Sequence, residues 1–485
     1  MLKPSRLSRG LRFASQTPPR DTRYARINDA DLKNFEKILG KSYVKTEEID
    51  SFNKDWTKWY SGNGACVLLP STSEEISAIL RHCHERRIAV VPQAGNTGLV
   101  GGGIPVHDEV ILSVRRMNRE FDFDPDTGVL SCDVGHVLEE LEGKVGEFGY
   151  MMPFDLGAKG SCLIGGNLST CAGGIRLLRY GSLHSHLLGL RVVLPDAKGS
   201  LVEFGSELRK DNTSLHAHHL FLGSEGQLGV ITGVKMTCVT KPISVQSAML
   251  GVNTFDECRK ILRIAKTKLG EILSSFELMD RETIGVLEDN LQFSNVIKTN
   301  PRFNILVETS GTNIDHDREK VDNFLEYCLS ERLANDGVQA KSAEEHRLMW
   351  RLRESATIAL TLDGIVFKND FSLPLHSFYQ LTEEVRARVG GAAKRVVCYG
   401  HMGDGNSHLN VTSTKENADR VYKMLYPFVY EWVVKHGGSI SAEHGIGQLK
   451  RPYVNLGKST EERNLIRSLK TLFDPREILN PYKFL

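Results

Sequence analysis

The 485 residues predict an α+β fold in more than one domain. Three observations carry this. The chain is longer than one hydrophobic core accommodates, and its 40% apolar residues suffice for two or three. Short apolar runs and glycine-rich turns fill the sequence to about residue 240. Past Lys241-Pro242 the texture changes to longer alternations of helix and strand.

Residues 1–20 carry Lys3, Arg6, Arg9, Arg12 and Arg20 interleaved with Leu2, Leu7, Leu11 and Phe13, and no acid precedes Asp21. That is the pattern of a mitochondrial presequence. A polar helical pattern follows over about 32–60. Cys66–Leu69 reads as a strand, and Thr72-Ser73-Glu74-Glu75 as a capping box opening a helix with Ile76, Ile79, Leu80 and Cys83 on one face. Ile88–Val91, Val110–Val114 and Val129–Cys132 read as further strands. Beyond 242 the pattern predicts helices over 255–269, 315–332 and 343–362, strands over 303–309 and 365–371, and a final helix from about 460.

Composition excludes several function classes. A net charge of +1 argues against a nucleic-acid binder relying on a basic surface. No apolar run approaches the roughly 20 residues of a membrane-spanning helix, so an integral membrane protein is not expected. Nine scattered cysteines without a Cys-x-x-Cys read as reduced, mostly buried residues rather than a disulfide framework or zinc ribbon.

Three glycine-rich segments suggest an anion cradle. Pro92–Gly103 places five glycines in twelve residues after a strand, and Gly165–Gly174 and Gly223–Thr232 follow. Backbone amides that approach closely suit a pyrophosphate. None of the three fits Gly-x-Gly-x-x-Gly, and the Gly-Lys-Ser triplets at 40–42 and 457–459 lack the earlier glycine of a P-loop.

His401-Met402-Gly403-Asp404-Gly405-Asn406-Ser407-His408 predicts a hairpin. With Asp404-Gly405 as a two-residue turn, His401 and His408 become opposed cross-strand neighbours with Cβ atoms about 5 Å apart. Glu443 offers a third ligand, and in an extended segment Glu443 and His444 point to opposite sides. Two histidines and a glutamate with an open position form a catalytic zinc-type set, with Mn2+ or Co2+ as alternatives. His184 with His186, and His216, His218 and His219, read as surface or loop residues. On a helix, Arg353 and Thr357 share a face that suits one carboxylate, and Lys368 is a candidate second cation.

In chain order, Pro92-x-x-Gly95-Asn96-Thr97-Gly98, Gly165-Gly166, Gly223-Ser224-Glu225-Gly226, Gly400-His401-Met402-Gly403-Asp404-Gly405-Asn406, Ala442-Glu443-His444-Gly445-Ile446-Gly447 and Leu479-Asn480-Pro481 resemble the vanillyl-alcohol-oxidase/PCMH-type flavoproteins. The resemblance spans roughly residues 45–485 and is thinnest at Thr213–His219. It implies a PCMH-type two-subdomain FAD-binding domain over 61–242 and a ferredoxin-like α+β cap with the metal site over 243–455. Around them it sets a presequence over 1–20, an N-terminal helical segment over 21–60 and a C-terminal segment over 456–485 packed on the FAD domain.

Carried over by position, the resemblance implies FAD contacts at Pro92, Ala94, Gly95, Asn96, Thr97, Gly98, Leu99, Gly165, Gly166, Ser169, Thr170, Ala172, Gly173, Gly174, Glu225, Val230, Ile231 and Asn480. FAD is expected to be non-covalent, because Asn96 stands in the first loop and no histidine lies between 85 and 106. His401, His408 and Glu443 resemble metal ligands, Arg353, Thr357, Lys368 and Asn410 substrate contacts, and His444 a substrate contact that is also the catalytic base. The implied reaction is oxidation of D-2-hydroxyglutarate to 2-oxoglutarate, with metal-assisted loss of the hydroxyl proton and hydride transfer to flavin N5. A five-carbon diacid needs a second cation, which favours this substrate over the rivals D-lactate and glycolate. A non-catalytic flavin- or metal-binding subunit is disfavoured because every expected position is filled. The resemblance further implies electron-transfer flavoprotein as acceptor and a matrix location, with a homodimer among the possible assemblies.

Overall fold

The computed structural model describes residues 17–485. Most of the presequence expected over 1–20 lies outside the described residues. Its last part is packed: the Arg20 guanidinium pairs with Asp108, and the Pro18 carbonyl accepts from His107 Nε2 at 2.9 Å.

The N-terminal half holds two main sheets around one principal core, with a two-stranded ribbon of Tyr150–Met151 and Val239–Thr240 beside them. A four-stranded sheet runs in the order Val44–Lys45, Val67–Leu68, Val110–Ser113, Val90–Gln93, the last three parallel. The helix Ser73–Arg86 connects Val67–Leu68 to Val90–Gln93 and buries Ile76, Ile79, Leu80 and Cys83, the face its spacing predicts. Its N-cap Thr72 accepts from Glu75 N–H, but the Glu75 carboxylate turns to Ser71 N–H at 2.6 Å, so the capping box is not reciprocal. A second, antiparallel sheet of five strands spans Phe121–Asp124 to Val230–Thr237. The helical segment expected over 21–60 is α-helical only over Asp29–Leu39. Gly40 ends that helix at φ 86, in the left-handed region open to glycine, a 3-10 turn follows at Lys41–Tyr43, and Val44–Lys45 then pairs with Val67–Leu68.

The second half is built on one seven-stranded antiparallel sheet, ordered Asp336–Gln339, Ser244–Val252, Phe303–Gly311, Leu273–Asp280, Arg395–His401, Asn406–Ser413, Ile365–Ser372. The first four strands, in chain order, take positions 4-1-3-2, the ferredoxin-like arrangement, and the other three extend it. Helices Phe255–Lys268 and Ile314–Ser330 cover one face through Ile261, Ala265, Phe324 and Cys328. Helices Arg281–Leu291 and Ala343–Thr361 cover part of the other through Leu287, Met349, Leu352 and Ala356.

The C-terminal residues return to the first half. Leu479 bridges Val90 in parallel, with Val90 N–H donating to Ile478 O and Asn480 N–H to Val90 O, both at 2.8 Å. Ile478 and Leu479 are fully buried in the N-terminal core. All nine cysteines are unpaired, eight of them buried. No helix among the described residues is long and apolar enough to cross a membrane.

Candidate active site between a glycine cradle and a sheet face

The glycine segments converge on one narrow cleft of about 160 Å³. Pro92, Ala94, Gly95, Asn96, Thr97, Gly98, Gly165, Gly166, Ser169, Thr170, Glu225, Val230, Ile231 and Asn480 line it. Leu99 lines the neighbouring chamber instead, and Ala172, Gly173 and Gly174 line neither. The second segment is no open loop: Gly165 and Gly166 fall in the helix Ile164–Thr170. The walls are mostly backbone. A Cβ on Gly95 would stand 2.5 Å from Ser161 O, so only glycine allows the loop to lie this close.

Asn96, Glu225 and Asn480 hold left-handed backbone at φ 56, 51 and 46, each fixed by surrounding bonds. Asn480 Nδ2 donates to Glu225 O at 2.8 Å and Gly102 O at 3.2 Å, tying two loops together. The Glu225 carboxylate, raised by burial, is turned onto Ile446 and Gly447 N–H at 2.7 and 2.8 Å. A cleft of backbone amides whose two carboxylates are already engaged, Glu225 as above and Asp55 by Thr57 and Tyr60 N–H, fits a dinucleotide diphosphate.

The cleft shares Val100, Ile104 and His444 with a chamber of about 880 Å³. One face of the seven-stranded sheet supplies the chemistry. Register puts Tyr399 opposite His408, Lys368 opposite Asn410, Asp370 opposite His408 and Glu277 opposite His401, so these side chains share a face.

The hairpin differs from the expected one. His401 pairs with Asn406, not His408, because the turn has four residues, Met402–Gly405, closed by Asp404 Oδ1 accepting from Asn406 N–H at 3.0 Å. His401 and His408 are therefore diagonal neighbours, and their rings still meet at 5.3 Å. Their Nε2 atoms lie 3.9 and 3.6 Å from Glu443 Oε1. Glu443 Oε2 accepts from Gly174 N–H at 2.9 Å, which joins the sheet half to the cradle half.

The segment carrying Glu443 and His444 is not extended. Asp370 Oδ2 accepts from the N–H groups of Ala442, Glu443 and His444 at 3.1, 3.0 and 2.9 Å and curls it. Glu443 and His444 thus face the same site rather than opposite sides, and His444 stacks on His408 at 5.7 Å. Asp370, His408, Glu443 and His444 bring ligand atoms within 4.8 Å of one another. Asp370 Oδ1 also accepts from Asn406 Nδ2 at 2.8 Å, so that carboxylate is engaged in holding the loop and the histidines and Glu443 are the donors left to ligate.

Electrostatics separates the two histidines. Burial opposes charge on His401, but Glu277, accepting from Nδ1 at 2.9 Å, and then Glu443 outweigh it and hold His401 up to about 10. Burial drives His408 down to about 3 against the pull of Glu443. Glu277, desolvated yet held by His401 and Arg353, falls to about 2. A carboxylate on Nδ1 fixes the His401 ring so that Nε2 faces Glu443, the arrangement that orients metal-binding imidazoles once Nε2 gives up its proton to an ion. Two imidazoles and a carboxylate on this geometry fit a divalent metal.

The expected substrate residues divide. Lys368 lines the chamber; its Nζ is buried, makes no hydrogen bond, lies 4.9 Å from the Trp56 ring, and is held down to about 8 by burial. Arg353, Thr357 and Asn410 do not line the chamber but gather at Tyr399. Thr357 Oγ1 and Tyr399 OH are 2.8 Å apart, and the Arg353 guanidinium stands 4.9 Å from the Tyr399 ring. Arg353 Nε donates to Glu277 Oε2 at 2.8 Å, which leaves its Nη groups for a ligand. Sequence reasoning missed Glu277, Asp370, Tyr399 and Trp56. The signal available for Glu277 was an isolated acid in an apolar run, Phe276-Glu277-Leu278; Asp370, which follows Lys368 and Asn369, carried no such mark.

Comparison with known proteins bears on this arrangement. Residues 64–205 match the profile of the FAD binding domain, and residues 241–484 that of the FAD linked oxidases, C-terminal domain. A mitochondrial D-2-hydroxyglutarate dehydrogenase of Danio rerio is 47% identical over 472 residues, covering 97% of this chain and 88% of its own. A putative mitochondrial D-lactate dehydrogenase of Schizosaccharomyces pombe is 42% identical, covering 96% of this chain and 92% of its own. The structure of p-cresol methylhydroxylase with substrate bound superposes with a TM-score of 0.72 at 14% identity, covering 94% of this chain and 96% of the other, and shows the PCMH-type fold. Names of the curated relatives place them in the mitochondrion, in keeping with the presequence-like N-terminus. The chain is an FAD-dependent oxidoreductase and belongs to the D-2-hydroxyglutarate dehydrogenase family of the FAD-linked oxidases.

Proposed function

We propose that the chain oxidises D-2-hydroxyglutarate to 2-oxoglutarate in the mitochondrial matrix. The observation that carries the substrate is Lys368: a buried ammonium with no hydrogen-bond partner in a chamber that His444 shares with the dinucleotide cleft. A buried cation without an anion is costly, and a ligand carboxylate relieves that cost. Arg353, set back from the chamber with one edge on Glu277, is the second cation that this reading assigns to the diacid. Thr357 and Asn410 add neutral polar contacts around Tyr399.

His401, His408 and Glu443 hold the metal in this reading, zinc by its donor set, with manganese or cobalt as alternatives. When bound, FAD supplies a two-electron acceptor and the metal lowers the pKa of the substrate hydroxyl. His444 takes the hydroxyl proton. Its position at the junction of cleft and chamber supports this, and Asp370 holds its backbone and stands 3.9 Å from its Nδ1. FAD is held without a covalent bond, supported by Asn96 in the first loop. Family membership alone supports electron-transfer flavoprotein as the acceptor.

The second reading is D-lactate oxidation, favoured by the name of the Schizosaccharomyces pombe relative. Lactate has one carboxylate and leaves one of the two cations without a ligand carboxylate. The deciding experiment is the anaerobic visible spectrum of the purified protein before and after D-2-hydroxyglutarate, with the L-enantiomer and D-lactate as controls. Selective bleaching by D-2-hydroxyglutarate is expected. Bleaching by D-lactate alone moves the function to the second reading.

A further inference from the structure

A second cluster of nitrogen donors lies apart from the active site, on the five-stranded sheet half. His184 belongs to the short helix Leu183–His186, and His216, His218 and His219 sit at the turn Ala217–Leu220. His184 Nδ1 and His219 Nδ1 are 3.1 Å apart, and their rings stack at 5.3 Å and 20°. The ligand nitrogens of His216, His218 and His219 all lie within 4.8 Å of one another. His218 is buried and His219 half-buried, while His184 and His216 are exposed, so the cluster is built into the fold on one side and open on the other. His186, on the same short helix, is buried and donates or accepts elsewhere, at Thr237 Oγ1 and Tyr180 O. The reading of all five as surface or loop residues thus fails for two of them.

Around a tetrahedral ion with metal–nitrogen bonds of about 2.0–2.1 Å, adjacent ligand nitrogens stand about 3.3 Å apart. The His184–His219 separation is close to that. Four imidazoles with no carboxylate among them select borderline cations such as Zn2+, Co2+, Ni2+ or Cu2+ over Mg2+ or Ca2+. We propose that His184, His216, His218 and His219 form a second transition-metal site, separate from the site at His401, His408 and Glu443. Its ligands come from two segments 30 residues or more apart in sequence, and the second runs through Phe221 directly into the turn whose Glu225 and Gly226 line the dinucleotide cleft. An ion here clips the two segments together beside that turn.

The test is metal binding by the FAD-loaded protein, using Co2+ and Zn2+ as probes. The parent is expected to retain two ions per chain after dialysis, and the double variant His216→Ala/His219→Ala one fewer, with a visible Co2+ ligand-field band lost. The flavin spectrum and the rate of flavin reduction should be unchanged, since neither histidine belongs to the catalytic or cofactor machinery. A His408→Ala variant should keep the band assigned to the cluster, which separates failure of this proposal from failure of the active-site metal. Equal stoichiometry and an equal Co2+ spectrum in parent and double variant would overturn the proposal.

Discussion

The two walls of the active site are made of different material. The cradle wall is backbone: glycines, a short helix and three left-handed residues, tied by Asn480 and Glu225. The facing wall is side chains, gathered from four strands of one sheet face and the loop of Glu443 and His444; His401 and Glu277, 124 residues apart in sequence, meet this way. A backbone wall tolerates loss of side chains and fails when one is added. A side-chain wall fails by subtraction, because each group has a separate chemical task and its neighbours are left with unpaired charge.

The largest expected effect lies on the side-chain wall. His444→Ala should slow flavin reduction about 10²–10⁴-fold in anaerobic stopped flow while FAD stays bound. Normal reduction would refute the base assignment. On the backbone wall, Gly95→Ala pushes a methyl against Ser161 O and should lower the flavin-to-protein ratio about tenfold or more. Full flavin occupancy in that variant would mean the cradle is not a close fit.

Lys368→Met should weaken binding of D-2-hydroxyglutarate about 10–100-fold and leave D-lactate much less affected. The same residue gives a pH signature. Burial lowers its pKa to about 8, so the ammonium is present below that pH and lost above it. The ratio kcat/KM for the diacid should fall as pH rises through about 8, and Lys368→Arg should remove that limb. The smallest effect sharpens the contrast: Ser169→Ala, whose hydroxyl is spent on Gly165 O at 2.7 Å, should change FAD affinity by less than about threefold in a flavin titration.

What was legible in the sequence follows the same division. Glycine clusters announced a cradle, but not that Gly165 and Gly166 open a helix or that Ala172, Gly173 and Gly174 stand clear of the cleft, since backbone conformation leaves little trace in residue type. Histidine spacing announced that the rings of His401 and His408 meet, yet through a two-residue turn where four residues turn. The pairing survived because positions two apart on a strand share a face. Glu277 stayed hidden for a physical reason. Its strand Leu273–Asp280 is buried along its whole length, so no alternation marks it. Asp370 was in view as a residue, but nothing local signals that it would bind three N–H groups 72 to 74 residues further on.

The closure of the cradle by Asn480 sets an order in time. Its amide reaches Gly102, 378 residues earlier in the chain, and its neighbours complete the edge of the sheet beside Val90. A chain emerging from a ribosome or threading through a membrane pore N-terminus first presents the glycine loops long before the residue that locks them. During that interval the cleft lacks one wall, and the buried edge at Val90 is exposed. Capture of the flavin is therefore expected late, after delivery of residues 478–480 rather than on folding of the first 240.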